Sequence, residues 1–124
     1  AALTGHLVVA TLHAYTAATL PQRFLAILGS DPDMQSNWSD ALASCLQAAV
    51  VQELLPGREG LVPIHEILFC QDKERKPITG VQSLLRKGNW TGLRQEIESG
   101  KNRYGMMTFR ESREERIRDG MFDR

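Results

Sequence analysis

Gly5-His6-Leu7-Val8-Val9-Ala10-Thr11-Leu12-His13 is an apolar run bracketed by two histidines, and its reading decides the fold. Leu7 to Leu12 is nearly all apolar and includes β-branched Val8, Val9 and Thr11. A run of this kind, without polar alternation, suits a strand covered on both faces, as in a parallel sheet. It begins almost at residue 1, with no leading cap or methionine. The expectation is therefore a piece of a larger domain, the C-terminal part of a longer protein.

Working outward, Thr16 to Leu28 carries Ala17, Leu20, Phe24, Ile27 and Leu28 at helical spacing, with Pro21 in a tolerated early position. Gly29 to Asp33 stops that helix. Asn37-Trp38-Ser39-Asp40 offers a cap for a second helix through Ala41, Leu42, Cys45 and Leu46. Ala49 to Leu55 fits helix or strand. The strand is favoured because Pro56-Gly57-Arg58-Glu59-Gly60 is a strong turn and Leu61 to Phe69 reads as a second strand, which together make a hairpin. Pro63 cannot donate to a ladder, so it belongs near an edge or a strand start. Gln71 to Pro77 is a charged loop. Thr79 to Arg86 and Thr91 to Glu98 are predicted as short helices, with Gly88 and Gly100 at their C-caps. Thr108 and Glu111 have capping-box spacing and open a last helix, Arg110 to Arg118.

The 124 residues amount to about one small domain. Fifteen basic and fifteen acidic residues balance, which gives no argument for a nucleic acid or a membrane surface. No apolar run approaches the roughly 18 residues of a membrane span, and no signal peptide is visible. Cys45 and Cys70 fit no CxxC pattern and read as two buried thiols.

His13 ends the predicted first strand, and in open α/β sheets ligands bind beyond the carboxyl ends of strands. A histidine there can donate to a phosphate, or it can cap local backbone. His6, seven residues earlier, falls on the opposite face of a strand, so the two cannot jointly grip one ion without a bend. Metal binding by His6, His13 and His65 is not expected. His65 and Glu66 are adjacent and face opposite ways, so one looks inward. Gln52 sits amid apolar residues, as a core amide or as a contact to the His13 loop. In the tail, Arg110, Arg113, Arg116 and Arg118 alternate with Glu111, Glu114, Glu115 and Asp119. That pattern fits a solvated helix laced by i,i+4 pairs, or else a helix that docks a partner. There is no GxxxxGK[ST] phosphate loop, no acidic residue ending an apolar strand to hold magnesium, and no nucleophile elbow.

Thr4-Gly5-His6-Leu7-Val8-Val9-Ala10-Thr11-Leu12-His13 closely resembles the histidine box of the secretion-type ATPases, hexameric motors of type IV pili, type II secretion and related machines. Three further stretches keep the order of the pilus-retraction, PilT-like branch. Leu46 to Leu55 resembles its "LQGVxxQxLL" segment, Val62 to Ile67 its "VAAHEI" strand, and Gly105 to Phe109 its "GMQTL" helix start. Leu93 to Gly100 is similar to the family helix ending "IxxG". The resemblance spans nearly the whole chain. The family's PAS-like domain, P-loop, acidic box and magnesium-binding strand would lie upstream of Ala1. The tetracysteine zinc element of the secretion branch is absent, which favours the retraction branch. Two positions depart from the pattern: Ala14 stands where threonine is common, and Arg110 where an acidic residue is common.

The resemblance implies an α/β fold, the C-terminal half of a RecA-like P-loop ATPase domain, with residues 1–69 as partial core and 70–124 as a small helical extension. By position, Thr11 and His13 would lie near the γ-phosphate, with His13 coupling phosphate state to domain rearrangement. His6 would support the same box, and Gln52 matches a recurrent glutamine beside the site. The parent protein would be a cytoplasmic hexameric motor of type IV pilus retraction and twitching motility, using ATP and Mg2+ and meeting an inner-membrane platform protein. It would contact no nucleic acid and insert in no membrane. The chain alone would bind no nucleotide tightly and hydrolyse none. Two other readings are a non-catalytic interaction module and the ATPase of a plasmid-transfer or type IVB secretion system. A half sheet also leaves an open edge and an exposed apolar face, so self-association or reliance on a partner is expected.

Overall fold

Pro56 to Gly60 turns the chain back on itself, with the Gly57 amide donating to the Gly60 carbonyl at 2.7 Å. In the computed structural model, which describes residues 1–123, the flanking stretches pair as an antiparallel hairpin. Strand β1 (Ala48–Pro56) and strand β2 (Leu61–Phe69) set Ala48 opposite Phe69, Gln52 opposite His65 and Pro56 opposite Leu61. The ambiguous segment is thus a strand, as the turn beside it predicts. Burial alternates along it: Ala49 and Val51 turn inward with Val62, Ile64 and Leu68. The other face leaves Val50, Leu54 and Leu61 in solvent. Pro63 lies in a two-stranded sheet, where every strand is an edge, and its carbonyl accepts from Arg116 Nε at 3.3 Å.

Six helices complete the fold among the described residues: α1 (Leu20–Ile27), α2 (Pro32–Cys45), α3 (Thr79–Lys87), α4 (Trp90–Ser99), α5 (Lys101–Tyr104) and α6 (Phe109–Arg118); α6 lies along β2, and α1 to α5 pack one on the next. α1 is shorter than its apolar spacing predicts. It starts at Leu20 with Pro21 in its first turn, and it buries Pro21 and Leu25 while Phe24, Ile27 and Leu28 remain exposed. α2 starts well before Asn37. Asp31 is its N-cap, accepting from the Asp33 amide at 3.0 Å, and Pro32 supplies a fixed φ for the first turn. Ser39, expected as part of a cap, is instead a buried residue of the helix interior. α3 and α4 fall where periodicity predicts them. Gly88 ends α3 in the left-handed region at φ 64°. Gly100 ends α4 at φ −88°, so its glycine answers to space: a Cβ there would meet the Glu96 carbonyl at 2.6 Å and Met106 Sδ at 2.7 Å. The capping box at α6 forms in both directions.

One apolar cluster runs from Ala17 and Ala18 through Ala43, Val51 and Leu68 to Val81, Leu85, Leu93, Ile97 and Met106. It draws on residues from both sides of Phe69. Fully burying each leucine or isoleucine in it is worth about 1.5–3 kcal/mol. Cys45 and Cys70 are both free thiols, the first half-buried and the second buried.

The predicted first strand is not formed. Residues 5–14 run without a ladder, and Leu7 and Val9 are 79% and 86% exposed. A strand exists only through a hydrogen-bonded neighbour, and no described segment forms a ladder with this one. The apolar run is right for a buried strand, but the surface that would bury it is not supplied by residues 1–123. With no strand, the parity argument that set His6 and His13 on opposite faces does not apply.

Candidate functional site

The histidine segment runs from the short turn Ala2–Thr4, which lies against α2, to a base in the core. Ala14 packs partly against the core, and Ala17 and Ala18 are buried within it. Ala14, where threonine is common in the resembling family, thus serves as a small apolar contact. Upstream, Thr11 and His13 are exposed. His6 Nδ1 lies 3.3 Å from Thr4 Oγ1, both at the surface. An exposed imidazole with no protein partner can donate to an anion such as a phosphate oxygen.

Gln52 is not drawn into this group. It projects from the exposed face of β1, and its Oε1 lies 2.9 Å from His65 Nε2 on the opposite residue of β2. Gln52 is therefore neither a core amide nor a contact of the His13 loop in this structure. A cross-strand pair of polar side chains satisfies itself most cheaply, because directly opposed residues share one face at close range. Of the four expected site residues, His6, Thr11 and His13 stay together on one exposed stretch, and Gln52 stands with His65.

Glu66 is the residue of the adjacent pair that faces inward. It shares the face of Val62, Ile64 and Leu68. Its Oε1 accepts from the Ala17 amide at 3.0 Å, and its Oε2 accepts from the Phe109 amide at 3.4 Å. The first tie reaches the base of the histidine segment and the second reaches the N-terminus of α6. A carboxylate suits the second position doubly, because helix N-termini present unpaired N–H groups and a positive dipole end. Glu66 lies on the wall of a cleft of about 780 Å³, with Thr16, Thr108, Phe109 and Glu111 also lining it. Sequence reasoning gave Glu66 no role. The usable signal was its parity with three buried apolar residues, since an inward carboxylate must find donors.

Next to β2, α6 is held by polar contacts. Ser112 is buried and its Oγ accepts from the His65 amide at 3.0 Å. The Ile67 and Met107 backbones bridge at 2.8 and 3.3 Å. No group of three or more His, Cys, Asp or Glu among the described residues could hold a metal ion. No described helix is long and apolar enough to cross a membrane.

This arrangement of hairpin and packed helices matches the C-terminal part of the ATPases PilT and DotB. The pilus retraction motor PilT, solved with bound ADP, matches over 97% of this chain and 31% of its own, with a TM-score of 0.71 and 26% identity. The ATPase DotB of Legionella pneumophila matches over 98% of this chain and 31% of its own, with a TM-score of 0.70 and 19% identity, a likeness of fold alone. In sequence, the uncharacterized protein YggR of Escherichia coli (strain K12) is 34% identical over 122 residues, covering 97% of this chain. The chain spans about a third of that relative's length, 34%. No protein-family model matches the chain.

Proposed function

We propose that this chain is the nucleotide-sensing part of an ATP-hydrolysing motor of type IV pilus retraction or a related secretion machine. The observation that carries the reading is the fold shared with PilT over 97% of the chain at 26% identity. The likeness of Thr4 to His13 to a histidine box supplies the chemistry. His13, exposed on a segment without a ladder, would donate to the γ-phosphate and shift when that phosphate leaves. Thr11 would contribute a hydroxyl beside it, and His6 would support the turn before it. Gln52 would approach the nucleotide only if its bond to His65 were exchanged for one to the ligand. The phosphate loop and the magnesium carboxylate would come from elsewhere in the parent protein, together with ATP and Mg2+. Oligomerisation into a hexamer, a cytoplasmic location and contact with an inner-membrane platform belong to the same proposal. The preference for the retraction branch rests on Leu46 to Leu55, Val62 to Ile67 and Gly105 to Phe109.

The test is ATP turnover by the full-length protein and by its His13→Ala variant. Loss of one positioned donor to a developing phosphate charge costs about 10²-fold in rate. Turnover unchanged by His13→Ala, or magnesium-dependent turnover by residues 1–124 alone, would overturn the assignment.

A further inference from the structure

We propose that Glu66 is a positioning residue that links the histidine segment to the C-terminal helix α6, an inference that rests on the sensing role of His13. Its two oxygens hold backbone amides 49 and 43 residues away in sequence, one in each element. Ala17 is fully buried, and no other described acceptor takes its N–H. A buried amide left unpaired is costly, so the carboxylate follows any small shift of Ala17 that motion of the segment transmits to its base. The Phe109 arm is the longer of the two, and α6 is separately pinned to β2 through Ser112 and Arg116. α6 therefore stays in place when the carboxylate moves. Rotation of the carboxylate toward Ala17 opens the Phe109 bond first and leaves the first turn of α6 short of an acceptor. The capping box serves the Glu111 amide and touches nothing in the histidine segment. The start of α6 thus reports the position of His13 through a single side chain. The link borders an open cleft, which leaves room for the carboxylate to swing.

The experiment is hydrogen exchange in the full-length protein, bound in turn to a non-hydrolysable ATP analogue and to ADP. In the native protein, the Phe109 amide should exchange about tenfold differently in the two states, the scale of one charged hydrogen bond made or lost. Glu66→Gln keeps a single acceptor oxygen and should abolish that difference while leaving cooperative unfolding intact. If Glu66→Gln does not fold, Glu66→Asp, which keeps the charge but cannot span both amides, should abolish it instead. Glu111→Ala weakens the same helix start without touching Ala17, and should keep the difference. Persistence of the difference without Glu66, its loss in Glu111→Ala, or a silent α6 in a protein whose residues 5–14 do respond would each overturn the link alone. Absence of any nucleotide response in residues 5–14 would overturn the sensing role and this inference with it.

Discussion

Burial pushes the Cys70 thiol from its ordinary 9.0 up to about 12, with the neighbouring Cys45 adding to the shift. The neutral thiol is favoured in the folded state, so its contribution to stability is complete below about pH 9. Above that value the unfolded chain releases the proton and the folded chain does not, so stability falls as pH rises toward about 12. One pH unit above the unfolded value, the loss is about 1.4 kcal/mol. Urea unfolding between about pH 8 and about pH 10 should show this slope, and Cys70→Ala should flatten it. Equal slopes in the two proteins would mean that Cys70 is not buried as described. Glu66 shows the opposite solution to burial. It stays beside the core by accepting two backbone amides, whereas the thiol stays by remaining neutral.

α6 makes the same point for an element. Its pattern is almost wholly charged, and its one clear aliphatic residue, Ile117, is exposed. It docks on β2 through Ser112, Arg116 and the Glu66 carboxylate rather than through an apolar stripe. Arg110 and Glu114 form the i,i+4 pair expected of a solvated face, at 3.1 Å. Surface pairs of this kind are worth little, so the start of the helix depends on its cap. Thr108→Ala should cost about 1 kcal/mol by removing the acceptor for the Glu111 amide. Urea unfolding measures this directly, and a change within experimental error would show that Glu66 alone suffices to start the helix.

For the whole molecule, the decisive feature is apolar surface left in water. Leu54 and Leu61 are 51% and 66% exposed on one face of the hairpin, and Leu7 and Val9 lie open on the histidine segment. The outer row of β2 is met by Met107, Ser112 and Arg116, whereas the outer row of β1 finds no backbone partner among the described residues. Apolar side chains gathered on an exposed sheet face mark a surface for association. We expect residues 1–124 expressed alone to self-associate with rising concentration, as read by sedimentation velocity. A monomer at every concentration with a sharp, high melting transition would contradict this.

The hairpin was legible because a Pro-Gly turn between two apolar stretches leaves one local solution. The capping box of α6 and the positions of α3 and α4 were legible for the same reason: their signals lie within a few residues of the structure they specify. The histidine segment was legible as a motif but not as a shape, because a strand needs a neighbour and its own residues cannot provide one. The start of α2 was missed because Asp31-Pro32 reads equally as a stop for α1 and a start for the next helix. Only the tertiary structure decided that Gln52 pairs with His65, that Gly100 is needed for room rather than for its φ, and that Glu66 ties Ala17 to Phe109. The two Glu66 contacts span 49 and 43 residues of sequence, and no local pattern encodes which distant donor a buried acceptor will meet.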